Sequence, residues 1–348
     1  MKKKDTFLPK NLLRNFSIVG LWTLLSRVLG FIRDILIAIF LGSGPVAEAF
    51  LVAFTLPNMF RRLFAEGAFN TAFIPMLSKK IKSKNNPEGF ASDALSLLIT
   101  ILLILIATAE IFMPLLVYGT ASGFSTDSRF DLSVKFGRVM FPYIFFISLS
   151  AILGGILNTL NRYSVAAAAP LLLNLFFIFS ISIAYIFKLN FGWAITICVP
   201  LAGLCQLTLL IIFLKKERFQ IKIKIPKLTP EIFTLIKIAI PAALAGGVIQ
   251  INLVVGRQVA SYFEGAVAWL NYADRIYQLP LGVVGIAVGI VLLPNLSEKA
   301  LSKSFDENNN IINRSTEFAL FLTLPATVAL LILPYSIINV LFERGAFT

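Results

Sequence analysis

The sequence contains no histidine and only two cysteines, and both scarcities limit the chemistry that it can perform. Without histidine there is no imidazole metal ligand, no imidazole proton relay and no serine–histidine triad. Cys198 and Cys205 lie seven residues apart in one apolar run, which places them on one face of a helix. We interpret them as packing residues rather than as a disulfide or a metal site.

Charge is also scarce, since charged residues make up 14% of the 348, against about 25% in a soluble domain. The mean hydropathy is +0.84, which predicts an all-α polytopic membrane protein. The net charge of +13 fits the basic cytoplasmic loops of such a protein, so it indicates no nucleic acid partner. Motifs of phosphate loops, nucleophile elbows and metal-binding helices are missing from the sequence. We therefore expect no enzyme, no metal and no cofactor.

Nine apolar segments are long enough to cross a bilayer. They lie near residues 14–41, 46–78, 93–118, 132–160, 165–188, 191–214, 232–262, 266–296 and 316–342. The loops after the even-numbered segments carry lysine and arginine, and the opposite loops are short or acidic. The positive-inside rule therefore predicts a cytoplasmic N-terminus. The first run has no small-residue cleavage site, so we expect a retained helix rather than a signal peptide.

Two similar short motifs indicate an internal repeat. The run at 73–80 resembles the run at 292–299, so spans one to three recur as spans seven to nine in the same direction. Parallel repeats of this kind build some transporters. We expect an N-terminal lobe at 1–215, a basic cytoplasmic linker at 216–230 and a partial C-terminal lobe at 231–348. The second lobe has three spans against six, so the sequence predicts that it is incomplete.

Arginines stand inside the first two spans, where a charge at the bilayer centre costs roughly 2.5–3.5 kcal/mol unless it faces water or a partner. In the first span Arg27 and Asp34 share a helix stripe, and Arg33 lies about 100° from Asp34. In the second, Asn58 and Arg61 share a face. Guanidinium groups in a polar cavity suit a phosphate or carboxylate, because their planar fork makes two-point contacts. The alternative is an Arg–Asp pair that only joins two helices.

Further polar residues extend this pattern. Arg62 and Glu66 are four apart and can pair, although Arg62 also fits a position at the membrane interface. In the eighth span Asp274 and Arg275 form another ionisable pair, with Gln278 one turn away. The repeat sets this segment opposite the arginines of the second span, which predicts arginines on both walls of a cavity.

Isolated charges near span ends are less informative. Glu48 begins the second span and fits either the outer mouth of a cavity or an ordinary partner of the helix dipole. We expect Glu110, Arg138 and Arg257 at the membrane interface.

The runs at 26–34, 56–69 and 272–279 resemble the MurJ/MviN family of lipid II flippases, within the multidrug/oligosaccharidyl-lipid/polysaccharide exporter superfamily. The resemblance covers essentially the whole chain. It implies a two-lobed bundle similar to multidrug exporters of that superfamily, with a central cationic cavity that opens alternately to each side. It also implies a multi-pass protein of the bacterial inner membrane that takes part in peptidoglycan synthesis.

By position in the family, the resemblance implies that Arg27, Arg33, Arg61 and Arg275 bind the lipid-linked diphosphate. It implies a supporting role for Ser26, Asp34, Glu48, Asn58, Arg62, Glu66, Asp274 and Gln278. Two of these depart from the family pattern. Glu48 stands where many relatives have aspartate, and Gln278 stands where many have glutamate and so loses a charge.

The implied partner is lipid II, an undecaprenyl-diphosphate-linked disaccharide peptide, within a membrane of ordinary lipids. The energy would come from an ion gradient, from the substrate gradient or from the membrane potential, which supplies about 2.3 kcal/mol per charge per 100 mV. Three alternatives stay open: a multidrug/cation antiporter, a polysaccharide-lipid exporter, and an inactive truncated remnant. An antiporter favours acidic, aromatic cavities, which the excess of arginine argues against.

Overall fold

The computed structural model describes residues 10–61, 69–299 and 305–347. Within these ranges the chain forms thirteen α-helices and no β-strand, which confirms the all-α prediction. The helices are α1 Lys10–Leu41, α2 Pro45–Arg61, α3 Phe69–Ser83, α4 Pro87–Ile111, α5 Met113–Thr120, α6 Ser128–Met140, α7 Tyr143–Thr159, α8 Tyr163–Ile186, α9 Phe191–Lys216, α10 Pro230–Ala260, α11 Ala266–Lys299, α12 Phe305–Ile332 and α13 Pro334–Leu341. A short 3-10 turn, Ser122–Phe124, joins α5 to α6.

Several predicted spans consist of two helices with a proline at the break. Pro114 follows the break between α4 and α5, and Pro142 separates α6 from α7, which bend by 41°. Pro334 opens α13, which lies at 87° to the end of α12. Proline lacks the N–H that would continue the helix ladder. Among the described helices α4, α8, α9 and α10 are each long and apolar enough to cross a membrane, and six spans result if each bent pair counts once.

Helix α2 lies at the centre of the packed core. Ala47, Val52, Ala53 and Leu56 on this helix are fully buried, and small side chains such as alanine let helices approach closely in a membrane protein. Phe50 and the neighbouring aromatic rings fill the space toward α8. The core therefore fixes the position of α2, whose last turns reach the candidate site.

The two cysteines, which we interpreted as packing residues, differ in their surroundings. Cys198 is buried and its thiol donates to the Ile195 carbonyl at 3.2 Å, whereas Cys205 is exposed. The same face of α9 passes from the bundle interior to the bundle surface between them.

The end of α1 is held by a segment from the far end of the chain. The Ala346 N–H donates to the Ile39 carbonyl at 2.8 Å. Gly42 and Gly345 have φ values of +67° and +66°, and a β-carbon on either would lie within 2.4 Å of a backbone oxygen. Only glycine accommodates both the positive φ and this close approach. The contact fixes α1, which carries much of the candidate site.

Candidate functional site

A cavity of about 890 Å3 lies between α1, α2, α7, α8, α10 and α11. Its charged lining residues are Arg27, Arg33, Asp34, Arg61, Arg257, Asp274 and Arg275. Five arginines stand against two aspartates, so the lining carries an excess of three positive charges. The cavity also borders Asn158 and Tyr163, beside the α7–α8 turn, and thus reaches toward the end of the bundle that carries the basic loops.

Asp34 joins the arginines of two helices that are far apart in the sequence. Its Oδ1 atom accepts from Arg33 at 2.8 Å, and its Oδ2 atom lies 2.6 Å from Arg275 Nε. The side chains of Arg33 and Asp34 are 8% and 4% exposed, so their contact forms in surroundings of low dielectric constant, where it is strong. The Arg275 side chain is 35% exposed and faces the cavity. One carboxylate therefore holds two guanidinium groups, one on α1 and one on α11.

Asn174 on α8 orients Arg33 from the other side. Its Oδ1 atom accepts from Arg33 Nη1 at 2.9 Å, and its Nδ2 atom donates to the Ser26 carbonyl at 2.9 Å. The guanidinium of Arg33 also lies 5.2 Å from the ring centre of Phe177, within range of a cation–π contact. Sequence reasoning missed Asn174, although a lone amide within an apolar helix was an available signal.

The α11 side of the cavity contains the predicted polar cluster. Arg275 Nη1 lies 3.4 Å from Gln278 Oε1, one helical turn away, and Asp274 lines the cavity beside them. Arg27 of α1 packs across to this helix, because a β-carbon on Gly282 would lie 2.1 Å from Arg27 Nη1. The sequence placed these residues in one cavity, and the structure brings them together.

Helix α2 contributes Asn58 and Arg61, which both line the cavity. The Asn58 side chain donates to the Phe54 carbonyl at 2.8 Å, in the turn that contains Pro57. The other two predicted residues of this region, Arg62 and Glu66, lie outside the described residues.

Glu48 does not line this cavity, which corrects its predicted place there. Its side chain is fully buried and its Oε2 atom accepts from Arg129 at 2.7 Å. Its Oε1 atom accepts from the Val267 N–H at 3.1 Å. Glu48 thus joins α2, α6 and the start of α11, and the buried partner Arg129 explains its position. Sequence reasoning missed Arg129.

The predicted position of Arg257 is also corrected by the structure. We expected it at the membrane interface, yet it lines the cavity on α10, near Gln250 and Asn271. A single charge near the end of a long helix gives no sequence signal of which neighbour it faces, so the interfacial interpretation was wrong.

The two predicted lobes also meet at the end of the bundle away from the α7–α8 turn. The Ser122 hydroxyl lies 2.8 Å from the Tyr262 hydroxyl, and the Ser122 N–H donates to Gln258 at 3.1 Å. The Gly123 N–H donates to Ser261 Oγ at 3.0 Å. These contacts connect the 3-10 turn to the end of α10.

An all-helical bundle with long apolar helices defines a polytopic membrane protein, and a known fold agrees. A solved structure of a multidrug resistance MATE family transporter of the MOP superfamily, in an inward-facing conformation, superposes with a TM-score of 0.65. It covers 93% of this chain and 73% of its own, at 16% identity, so it shows the fold alone.

The chain belongs to the MurJ family, whose model, described as lipid II flippase MurJ, matches residues 37–348. A probable lipid II flippase MurJ of Rhizobium tropici is 48% identical over 344 residues, which are 97% of this chain and 64% of that protein. One of Rickettsia prowazekii is 36% identical over 97% of this chain and 67% of its own length. A solved lipid II flippase MurJ, in an inward closed conformation, has a TM-score of 0.80 at 28% identity, covering 95% of this chain and 68% of that one.

The chain therefore spans just under two thirds of the length of the Rhizobium relative. Its family and its long apolar helices place it among multi-pass membrane proteins.

Proposed function

We propose that this chain acts in a lipid II flippase and binds the diphosphate of a lipid-linked peptidoglycan precursor in its central cavity. The observation that carries the proposal is the sharing of Asp34 by Arg33 and Arg275, in a cavity with three excess positive charges. The family membership and the likeness to a solved lipid II flippase support the same substrate.

The cavity arginines supply the chemistry that a diphosphate needs. A guanidinium donates two parallel hydrogen bonds to phosphate oxygens, and such charge-assisted bonds are about twice as strong as neutral ones. In the proposed cycle a diphosphate displaces the single carboxylate of Asp34 and takes Arg33 and Arg275 as its own partners. Arg27 and Arg61 complete the set, and Ser26, Asn58, Asp274 and Gln278 orient them.

Transport then follows by alternating access. The head group enters from the side with the basic loops, which we assign to the cytoplasm of a bacterial cell with the N-terminus on the same side. The contacts between the 3-10 turn and α10 break on the opposite side, and the head group leaves there. No step of this cycle needs an enzymatic reaction. An ion gradient or the membrane potential drives it, and the ion is not assigned.

Binding to the purified chain tests the first half of this proposal. Undecaprenyl diphosphate is the probe, and R33A and R275A are the variants, each expected to bind at least about tenfold more weakly because a charge-assisted bond is lost. R162A is the matched control, since Arg162 forms only an exposed pair with Glu217, and such pairs contribute little.

Rescue of cells depleted of their own lipid II flippase tests transport. The chain and a version extended with the C-terminal part of the Rhizobium relative are compared, each as the parent, as R33A and as R275A. Rescue that R33A and R275A leave intact would contradict the assignment. A change in drug susceptibility without a cell-wall defect would instead support the antiporter.

A further inference from the structure

The segment between α9 and α10, residues 217–229, opens with a turn at 217–218 and then runs without helix along α4. We call it the lobe linker. Its N–H groups at Gln220, Lys222 and Lys224 donate to Glu88 Oε1, Ser92 Oγ and Ser96 Oγ at 2.9, 3.0 and 3.0 Å. Alternate residues of the linker thus bind side chains one helical turn apart on α4.

The spacing of the two elements explains this match. Four residues of extended chain, from 220 to 224, advance about 13 Å, and the eight residues from 88 to 96 on a helix rise about 12 Å. The two serine hydroxyls are held in place, because Ser92 and Ser96 also donate to carbonyls four residues earlier on α4, at 2.6 and 2.7 Å. The linker is therefore held in one register.

In this register the apolar side chains of the linker lie on one face. Successive side chains of an extended segment point to opposite faces, so the apolar residues Phe219, Ile221, Ile223 and Ile225 share one face. The first two pack against the protein core. Ile223 and Ile225 are 71% and 85% exposed, so the apolar face runs past the edge of the protein.

Basic residues surround this apolar edge. Exposed lysines and an arginine lie along the linker and at the end of α9: Lys215, Lys216, Arg218, Lys222, Lys224 and Lys227. One of them, Lys224, binds Asp93 at 2.8 Å, and the others have no ion-pair partner among the described residues. Leu228, which lies beyond a bend at Ile225, is a further exposed apolar side chain, at 71%.

The position of the linker sets its depth in the membrane. Its hydrogen-bond partners Glu88, Ser92 and Ser96 lie just before and at the start of the apolar run that begins near residue 93. The linker therefore runs from the headgroup region to the edge of the hydrocarbon core. Exposed isoleucines beside lysines at this depth match the chemistry of interfacial membrane segments.

We propose that the lobe linker is a binding surface for anionic phospholipids, with Ile223, Ile225 and Leu228 in the acyl boundary and Lys222 and Lys227 on the headgroups. This surface is separate from the central cavity and does not rest on the proposed transport function. It recognises the negative surface of a bilayer leaflet, to which each lysine adds about fivefold in preference.

Spin labels on the purified chain test the insertion. In a C198A/C205A background, a nitroxide at I225C is compared with one at Q220C on the opposite face, in vesicles of phosphatidylcholine with and without phosphatidylglycerol. We expect the I225C label to be accessible to oxygen and shielded from a water-soluble nickel complex when phosphatidylglycerol is present. The Q220C label should stay accessible to nickel. An I225C label as accessible to nickel as Q220C would overturn the proposal.

Charge removal separates lipid recognition from simple burial. Each lysine removed in K222Q/K227Q should lower the preference for phosphatidylglycerol about fivefold. Added salt should weaken this preference in the parent protein. K135Q/K188Q removes the same charge from exposed sites elsewhere and should change neither the preference for phosphatidylglycerol nor its weakening by salt. The I225C label could instead be shielded equally in both lipids and be unaffected by K222Q/K227Q. In that case a protein surface or apolar insertion alone covers the edge, and the recognition of anionic lipid is overturned.

Discussion

Glu48 and Arg129 form a buried ion pair, with 2.7 Å between Oε2 and Nη1, although 80 residues separate them. The Glu48 side chain is 0% exposed and that of Arg129 is 10% exposed. Arg129 also donates to Asp127 from Nε at 2.8 Å and thereby holds the pKa of Asp127 below its ordinary value. Because Glu48 also accepts from the Val267 N–H, this pair fixes the contact between the two predicted lobes.

The first prediction concerns that pair. E48Q keeps the size of the side chain and the acceptor for Val267 but removes the buried carboxylate partner of Arg129, which keeps Asp127, so it should destabilise the protein by about 1.5–3 kcal/mol. Unfolding in detergent micelles measures the change. E217Q breaks the exposed pair with Arg162 and should cost less than about 1 kcal/mol. Equal stabilities for E48Q and E217Q would show that the buried pair contributes nothing.

The second prediction concerns Asn174. N174L leaves Arg33 Nη1 without its acceptor on α8 and removes the additional donor to the Ser26 carbonyl, so it should cost about 1–3 kcal/mol of stability. Because Arg33 loses its orientation, binding of undecaprenyl diphosphate should also weaken about tenfold.

Gln206 supplies the matched control for Asn174. It is 1% exposed, and neither of its side-chain polar atoms has a hydrogen-bond partner in the described part of the chain. Q206L removes an unsatisfied buried amide and should be neutral or stabilising, with unchanged diphosphate binding. Unchanged affinity in N174L would refute the positioning role of Asn174.

Much of the candidate site was predictable because ionised residues are rare in apolar helices. Arg27, Arg33 and Asp34 break one such run, and Asp274 and Arg275 break another. The cost of burying a charge in lipid predicts that both runs face a common polar space, and all five residues line one cavity.

What the sequence did not reveal was the identity of long-range partners. A helical period gives the face on which a residue lies but not the helix that it meets. Asn174 binds Arg33 across 141 positions, and Arg129 binds Glu48 across 81. Arg257 was assigned to the membrane interface for the same reason, since only the packing of α10 directs it inward.

The third prediction tests the contact between Arg27 and α11. A β-carbon on Gly282 would lie 2.1 Å from Arg27 Nη1, so G282A should displace this guanidinium and weaken diphosphate binding several-fold. Gly246 on α10 has no atom within 4 Å of an added β-carbon. G246A should leave binding unchanged and stabilise its helix by about 0.5–1 kcal/mol. If both variants bind as the parent does, Arg27 is not positioned by this contact.

The fourth prediction concerns the contacts at the end of the bundle opposite the basic loops. A β-carbon on Gly123 would lie 2.5 Å from the Ser261 backbone, which cannot yield as a flexible side chain does, so G123A should separate the 3-10 turn from α10. If this contact closes the cavity on that side, as proposed, separation exposes the cavity to the outer solution.

Asn271 lines the cavity, so N271C in a cysteine-free background reports the opening by its reaction with a membrane-impermeant maleimide added from outside. We expect faster labelling in G123A than in the parent. Gly119, with no atom within 4 Å of an added β-carbon, gives the control G119A, which should label at the parent rate. Equal rates in G123A and G119A would mean that this contact does not close the cavity.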